Sequence, residues 1–311
     1  MKRIIALFSG LVLLLAAGAC SSEKNEDVST GSANEDQITV VATTAIWGSI
    51  AQLATTDVPQ VHVETIVNST SADPHEYEPS AQDLAKITDA DVLVANGGGY
   101  DNWFTDQAAE MAPDIPIISA MPIEEHAHTE GADHESDDHD HEGHSHDTNP
   151  HIWFDTHAVE HFTDDLMQQL HSMQSDIPDS APAVSEKVDA LADRIAALAE
   201  ANVVVTEPVA GYLVEESQLQ DVTPEGFSEA INKETEPAAA DIAATRDVLK
   251  SGDAQVLITN TQSETQATAQ LIQAARDEGV AIVNINEMPA EGETYFDYAN
   301  DAVDQLEDAT R

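Results

Sequence analysis

The chain is read as an α/β protein: two βα lobes with mostly parallel sheets, joined by one long linker helix, with a ligand cleft between them. Three features point there. From Gln37 onward, short β-rich runs alternate with amphipathic helical stretches, the rhythm of parallel strands with helices on their faces. The rhythm breaks for two helical patterns, Thr156 to Met173 and Ala183 to Ala199, and then restarts at Asn202. One short echo links the halves, Val92-Leu93-Val94-Ala95-Asn96 in the first and Val256-Leu257-Ile258-Thr259-Asn260 in the second, each a buried-strand pattern ending in asparagine.

In the first half, strands are expected at Ile38 to Ala42, Val61 to Val67, Asp91 to Ala95 and Pro116 to Ser119. Helices are expected at Ile46 to Ala54, Ser80 to Thr88 and Trp103 to Met111. Ser80 followed by Asp83 reads as a helix N-cap with acid in the first turn, and glycines 97, 98 and 99 free the chain to turn after a strand. The linker helix carries Val184, Val188, Leu191, Ile195 and Leu198 along one stripe. In the second half, strands are expected at Asn202 to Thr206, Val256 to Thr259 and Ala281 to Ile285, and helices at Gly211 to Ser217, Pro237 to Lys250, Glu264 to Glu278 and Tyr295 to Glu307. The resulting division is residues 1–19 as a leader, 20–36 as a tether, 37–180 as the first lobe, 181–201 as the linker helix and 202–311 as the second lobe. Open sheets of this kind bind ligands at the carboxyl ends of their strands.

Met1-Lys2-Arg3, an apolar stretch from Ile4 to Ala17 and small residues before Cys20 form a signal-peptide pattern too short for a comfortable membrane span. Small residues just before the lone cysteine resemble a bacterial lipobox, so Cys20 is expected to carry lipid and become the new N-terminus. The polar stretch to residue 36 is expected to be a flexible tether between lipid and domain. An extracytoplasmic, lipid-anchored protein follows, and a monomer is expected.

With 59 acidic side chains against 11 basic ones and a formal net charge of −48, the surface repels phosphates, so no nucleic-acid partner is expected. A single cysteine excludes an internal disulfide, a Cys-rich zinc site and an iron–sulfur cluster. The chain is 41% apolar, enough for real cores. Acid spread along the whole chain suits a hydrated surface, and function must come from clusters.

The densest cluster is the acidic loop 124–147, with His126, His128, His134, His139, His141, His144 and His146 among carboxylates. Imidazoles and carboxylates at one- and two-residue spacing form a flexible, multi-site chelator for a borderline cation such as Zn²⁺. Ordering the loop costs entropy at each binding event, so its sites are weaker than a preformed cage and accessory to it. A pH-responsive insert without metal is the competing reading.

Two further histidines each follow a proline, in Asp73-Pro74-His75-Glu76-Tyr77-Glu78-Pro79-Ser80 and in Asn149-Pro150-His151-Ile152-Trp153-Phe154-Asp155. Proline stiffens the loop, so the imidazole is presented as a pre-organised ligand should be. These two stretches, the His-rich loop before the second, and Asn96-Gly97-Gly98-Gly99-Tyr100-Asp101, Thr206-Glu207-Pro208-Val209-Ala210-Gly211-Tyr212 and Asn260-Thr261-Gln262 resemble the zinc/manganese-type solute-binding lipoproteins of bacterial ABC importers. The resemblance runs from Gln37 nearly to the end. It implies a metal buried between two lobes and delivered to a membrane permease driven by a separate ATPase. Carried over residue by residue, it implies His75, His151, Glu207 and Glu287 as ligands. Glu207 capping the following helix, and Glu287 as a solvated loop charge, are the structural alternatives.

Two imidazoles and two carboxylates suit Mn²⁺ (or iron), but the Irving–Williams order favours Zn²⁺ at any N/O site, and the imidazole loop suits zinc. Zinc is therefore expected, with manganese as the alternative. A metal-dependent hydrolase, and a surface adhesin or metal buffer, are rivals from other classes. The chain lacks a His-Glu-x-x-His run, a Gly-x-Ser-x-Gly elbow and a phosphate-binding glycine loop, so no enzyme is expected. Removing residues 124–147 is expected to leave one tight site per chain and abolish the weaker ones. Titration calorimetry with zinc tests this, and an unchanged stoichiometry would refute the chelator role.

Overall fold

The computed structural model describes residues 37–68, 74–75, 77–123, 149–233 and 235–311. The leader, Cys20, the tether and the seven loop histidines lie outside the described residues. The first half runs β1 (Ile38–Thr44), α1 (Ala45–Ala54), β2 (Val61–Val67), α2 (Ala81–Asp89), β3 (Val92–Ala95), α3 (Asn102–Met111) and β4 (Ile117–Ser119). Its four strands pair in parallel in the order β2-β1-β3-β4, with Ile38 opposite Val61, Val40 opposite Val92 and Leu93 opposite Ile117. The central β1 and β3 are buried almost throughout, so β3 is wholly apolar and β1 carries only apolar residues and threonines, whereas β2 exposes His62 at the sheet edge. Helix α2 begins with the expected cap: Ser80 accepts from the Asp83 backbone, and Asp83 returns the bond to the Ser80 N–H.

Helices α4 (Thr156–Met173) and α5 (Pro182–Ala196) lead to β5 (Ala201–Val205), α6 (Gly211–Glu215), β6 (Leu219–Asp221), α7 (Glu225–Asn232), α8 (Ala239–Ser251), β7 (Val256–Thr259), α9 (Gln266–Glu278), β8 (Ala281–Asn284) and α10 (Tyr295–Ala309). The second sheet is also all parallel, in the order β6-β5-β7-β8. Both sheets thus have the same plan, with the first strand central and the third beside it. The short echo in the sequence falls on the third strand of each, β3 and β7. In both sheets the strand order reverses between first and third strands, the crevice where open α/β sheets accept ligands.

Two elements escaped the sequence reading. Strand β6 has three residues, too few to show a period, and only Leu219 is buried. Helix α7 buries just Phe227 and Ile231, one turn apart, and starts after Pro224 without a side-chain cap. The linker helix also ends at Ala196 rather than Ala199. Leu198 stays buried, but it does so in the tight turn that feeds β5.

Helix α5 faces the core with Val184, Val188, Leu191 and Ile195. The C-terminal α10 packs against β8, α5 and α1, and Tyr295 at its start donates its backbone N–H to Ser49 Oγ of α1. Arg194 of α5 reaches Asn300, Asp304 and Glu307 along α10. One apolar core consequently runs through both sheets and these helices. Among the described residues no helix is long and apolar enough to cross a membrane. Leu191→Ala is expected to cost about 2–5 kcal/mol, as a methyl-lined void opens in that shared core. Arg194→Met, which removes only half-exposed charge pairs, is expected to cost about 1 kcal/mol at most. Urea unfolding of both variants checks the order, and a costlier Arg194 variant would mean that charge rather than packing holds α5.

Candidate metal centre

Every candidate side chain stands on a loop that leaves the carboxyl end of a strand. His75 follows β2, His151 follows β4, Glu207 follows β5 and Glu287 follows β8. Three of the four converge: His75, His151 and Glu287 each offer a donor atom, and these atoms lie within 4.8 Å of one another. His75 Nε2 is 3.4 Å from Glu287 Oε2, and His151 Nε2 is 4.0 Å from Glu287 Oε1. Donors around a tetrahedral cation with bonds of about 2.0–2.1 Å stand about 3.3 Å apart, so small side-chain shifts turn this spacing into a first coordination shell. Glu207 is half-buried and stands outside that trio, on the wall of the same cavity of about 440 Å³ that His75, His151 and Glu287 line. Its side chain makes no cap bond to the single 3-10 turn that follows, so the helix-capping alternative is not what the fold uses.

The loops are held by aromatic partners. Trp103 of α3 donates to the Pro74 carbonyl at 3.1 Å and fixes the approach to His75. Tyr100, buried in the turn after β3, packs edge-on to His75 and His151 with ring centroids 4.5 and 5.7 Å away. Trp153 flanks His151 on another side at 5.2 Å. The signal available in the sequence was an aromatic residue one or two places after the glycine turn and after each Pro-His pair, namely Tyr100, Tyr77 and Trp153. Nothing in its spacing said which rings would meet.

Asn149 settles the tautomer of His151. Its amide nitrogen donates to the Pro208 carbonyl at 2.7 Å, so its oxygen must face the imidazole. That oxygen lies 2.7 Å from His151 Nδ1, which therefore carries the proton and leaves the Nε2 lone pair directed at the carboxylate of Glu287. The close fit explains Gly211, where a Cβ would come within 2.6 Å of the Asn149 amide nitrogen. Burial pushes the His151 pKa down to about 4 and the neighbouring His75 adds to this, with Glu287 opposing. At neutral pH the ring is a neutral ligand with no proton to lose from Nε2.

Glu287 is only 8% exposed, and burial alone would raise its pKa. The hydrogen bond from His75, the charge interactions with His151 and His75, and the hydroxyl of Tyr100 outweigh burial and hold it below the usual carboxylate range. Tyr100 Oη donates to Oε2 at 3.3 Å, and Asn260 Nδ2 donates to Oε1 at 3.2 Å. Next door, Tyr298 of α10 donates to the Asn286 carbonyl and accepts from Trp153 Nε1, tying the Glu287 and His151 loops together. The alternative of a solvated loop charge is therefore not what Glu287 is. Two neutral-capable imidazoles and an ionised carboxylate, largely dry and pre-oriented, form a donor set suited to a divalent borderline cation.

Residues 40–309 match the family described as zinc-uptake complex component A, periplasmic (ZnuA). The chain belongs to that family. It is 27% identical over 180 residues to the manganese-binding lipoprotein MntA of Halalkalibacterium halodurans, covering 54% of this chain and 51% of that protein. It is 25% identical over 272 residues to the zinc-binding lipoprotein AdcA of Streptococcus pneumoniae, covering 80% of this chain and 48% of that one. The chain thus spans about half the length of these curated relatives. A crystal structure of ZnuA superimposes with a TM-score of 0.66 at 18% identity, covering 89% of this chain and 100% of that one, and so shares the two-sheet α/β fold.

The depressed His151 pKa has a consequence for the metal-free protein. Between pH 6.5 and 4 the unfolded chain protonates this imidazole while the folded chain does not, so stability is lost as pH falls through that window. The full effect is of the order of 3 kcal/mol. His151→Gln is expected to flatten the urea midpoint over this range, and an undiminished slope in the variant would assign the acid sensitivity elsewhere.

Proposed function

We propose that the protein is the extracytoplasmic solute-binding component of an ABC importer. It captures one divalent transition cation, Zn²⁺ before Mn²⁺, and hands it to a membrane permease powered by a separate ATPase. The observation that carries this reading is the convergence of His75, His151 and Glu287 from loops of both sheets onto one buried point. Membership of the ZnuA family supports it, as do relatives named as zinc-binding and manganese-binding lipoproteins. Cys20 is its lipid attachment, which keeps a monomeric binding domain at the membrane surface. Residues 124–147 serve as the accessory, weaker collector.

In this reading His151 Nε2, His75 and Glu287 are the first ligands, and Glu207 completes the set. Glu207 lines the same cavity, so a fourth ligand there would close the cage around a captured cation. The charges favour it: Glu287 alone leaves a bound divalent ion with a net positive charge in a buried site, and Glu207 brings the sum to zero. Such a cage leaves no open position for a substrate, which is why no enzymatic role is proposed. Manganese is the second reading because it accepts carboxylate oxygen readily, and zinc leads because two imidazoles stand at the centre.

Competition between zinc and a chelating dye tests the assignment. His151→Ala and His75→Ala are expected to weaken the tight site by more than about 100-fold, and Glu207→Gln by about 10-fold. Equal affinity for wild type and His151→Ala would remove the site. Retention of manganese in the presence of equimolar zinc, read by elemental analysis, would reverse the order of the two metals.

A further inference from the structure

The two sheets share a strand order, and the same residue stands at the same place in both. Asn96 ends the run of β3 and Asn260 ends the run of β7, the third strand of each sheet. Both side chains are buried, at 0% and 1% exposure. Each donates its amide to the loop that leaves the fourth strand of its own sheet. Asn96 Nδ2 donates to the Pro150 carbonyl at 2.9 Å, one residue before His151. Asn260 Nδ2 donates to the Glu287 carboxylate at 3.2 Å. Each amide is itself oriented: the Asn96 oxygen accepts from Trp47 Nε1 at 2.9 Å, and the Asn260 oxygen accepts from the Gln262 backbone N–H at 2.9 Å.

We propose that Asn96 and Asn260 are matched positioning residues of the cation site, each fixing the ligand-bearing loop of its own half. The inference rests on the cation-binding reading of His151 and Glu287. A carboxamide suits this place because it offers a donor and an acceptor without charge. Its oxygen is satisfied by the scaffold while its N–H reaches the loop. An aspartate would set a second anion against Glu287, and an apolar residue would leave a carboxylate oxygen in a nearly dry site short of a donor. At position 260 the donor also restricts how the carboxylate plane turns, because Tyr100 holds the other oxygen. At position 96 the bond sets the height of Pro150, and through it the place of His151.

The effect expected from losing such an outer-shell partner is about 10–100-fold in metal affinity. The test is a double-mutant cycle on the full chain, with Zn²⁺ read by dyes of graded affinity. Asn260→Ala and the near-isosteric Asn260→Leu are expected to weaken zinc by about 10–100-fold in the wild-type background, yet by less than about 3-fold when Glu287 is already Gln. Such loss of effect shows action through the carboxylate rather than through the fold. A parallel cycle pairs Asn96→Ala with His151→Ala. Asn96 also supports Trp47, so if its variant does not fold the position-260 cycle decides alone. The same fold-loss of affinity in both backgrounds, or unaltered affinity of the single Asn260 variants, overturns the proposal. Wild type that binds zinc no more tightly than Glu287→Gln removes the cation site itself, and the positioning role with it, an outcome separate from a null cycle.

Discussion

A buried carboxylate is tolerated only when its lone pairs are met, and that requirement at Glu287 organises the centre of this molecule. Tyr100 comes from the first sheet and Asn260 from the second, one to each oxygen. His75 and His151 approach the same group from two other loops. An isolated carboxylate at 8% exposure would protonate, yet here the balance keeps it ionised. The loops of both halves therefore have a common electrostatic target. Their arrangement is one solution to the problem of holding an anion away from water.

The scaffold makes that solution available. Parallel strands place all their carboxyl ends on one side of a sheet, so loops after β2, β3 and β4 gather at one edge and loops after β5, β7 and β8 at another. Helices α5 and α10 bind the halves into one apolar core, and the tyrosines of α10 carry that packing to the site. Tyr295 donates to the Trp153 carbonyl, while Tyr298 bridges Trp153 and the Asn286 carbonyl. Rigidity at the site is thus inherited from core packing, with hydrogen bonds setting the last ångström.

The sequence exposed those parts that depend on local pattern. The strands β1, β3, β5, β7 and β8 are mostly β-branched and apolar residues, and helix α4 matched its expected limits of Thr156 and Met173 because its apolar period and the Asp155 cap are both local. Strand β6 and helix α7 were illegible because each is held by one or two buried side chains and by its neighbours. At the site, Pro-His presentation marked His75 and His151, while Glu207 and Glu287 came only through resemblance to a family. Asn149, Tyr100 and Asn260 lie in short motifs whose residue types declare no role. Their functions arise from contacts across 59, 187 and 27 positions of chain, which no local pattern encodes.

The same contacts bear on why the proposed site would take a cation rather than persist as an ion pair. In the metal-free molecule the carboxylate of Glu287 receives bonds from His75, Tyr100 and Asn260, so it is already satisfied. His151 is different: its Nδ1 proton is committed to Asn149, and burial opposes any proton on Nε2. Among the described residues, a neutral lone pair directed at an anion has no good partner, because protonating it costs desolvation and leaving it bare sets two acceptors face to face. In the proposed function a divalent cation would remove that conflict by binding both, and the aromatic rings of Tyr100 and Trp153 around His151 leave the lone pair few other directions to turn. The conflict is therefore local to one nitrogen, and a Lewis acid that accepts imidazole would relieve it.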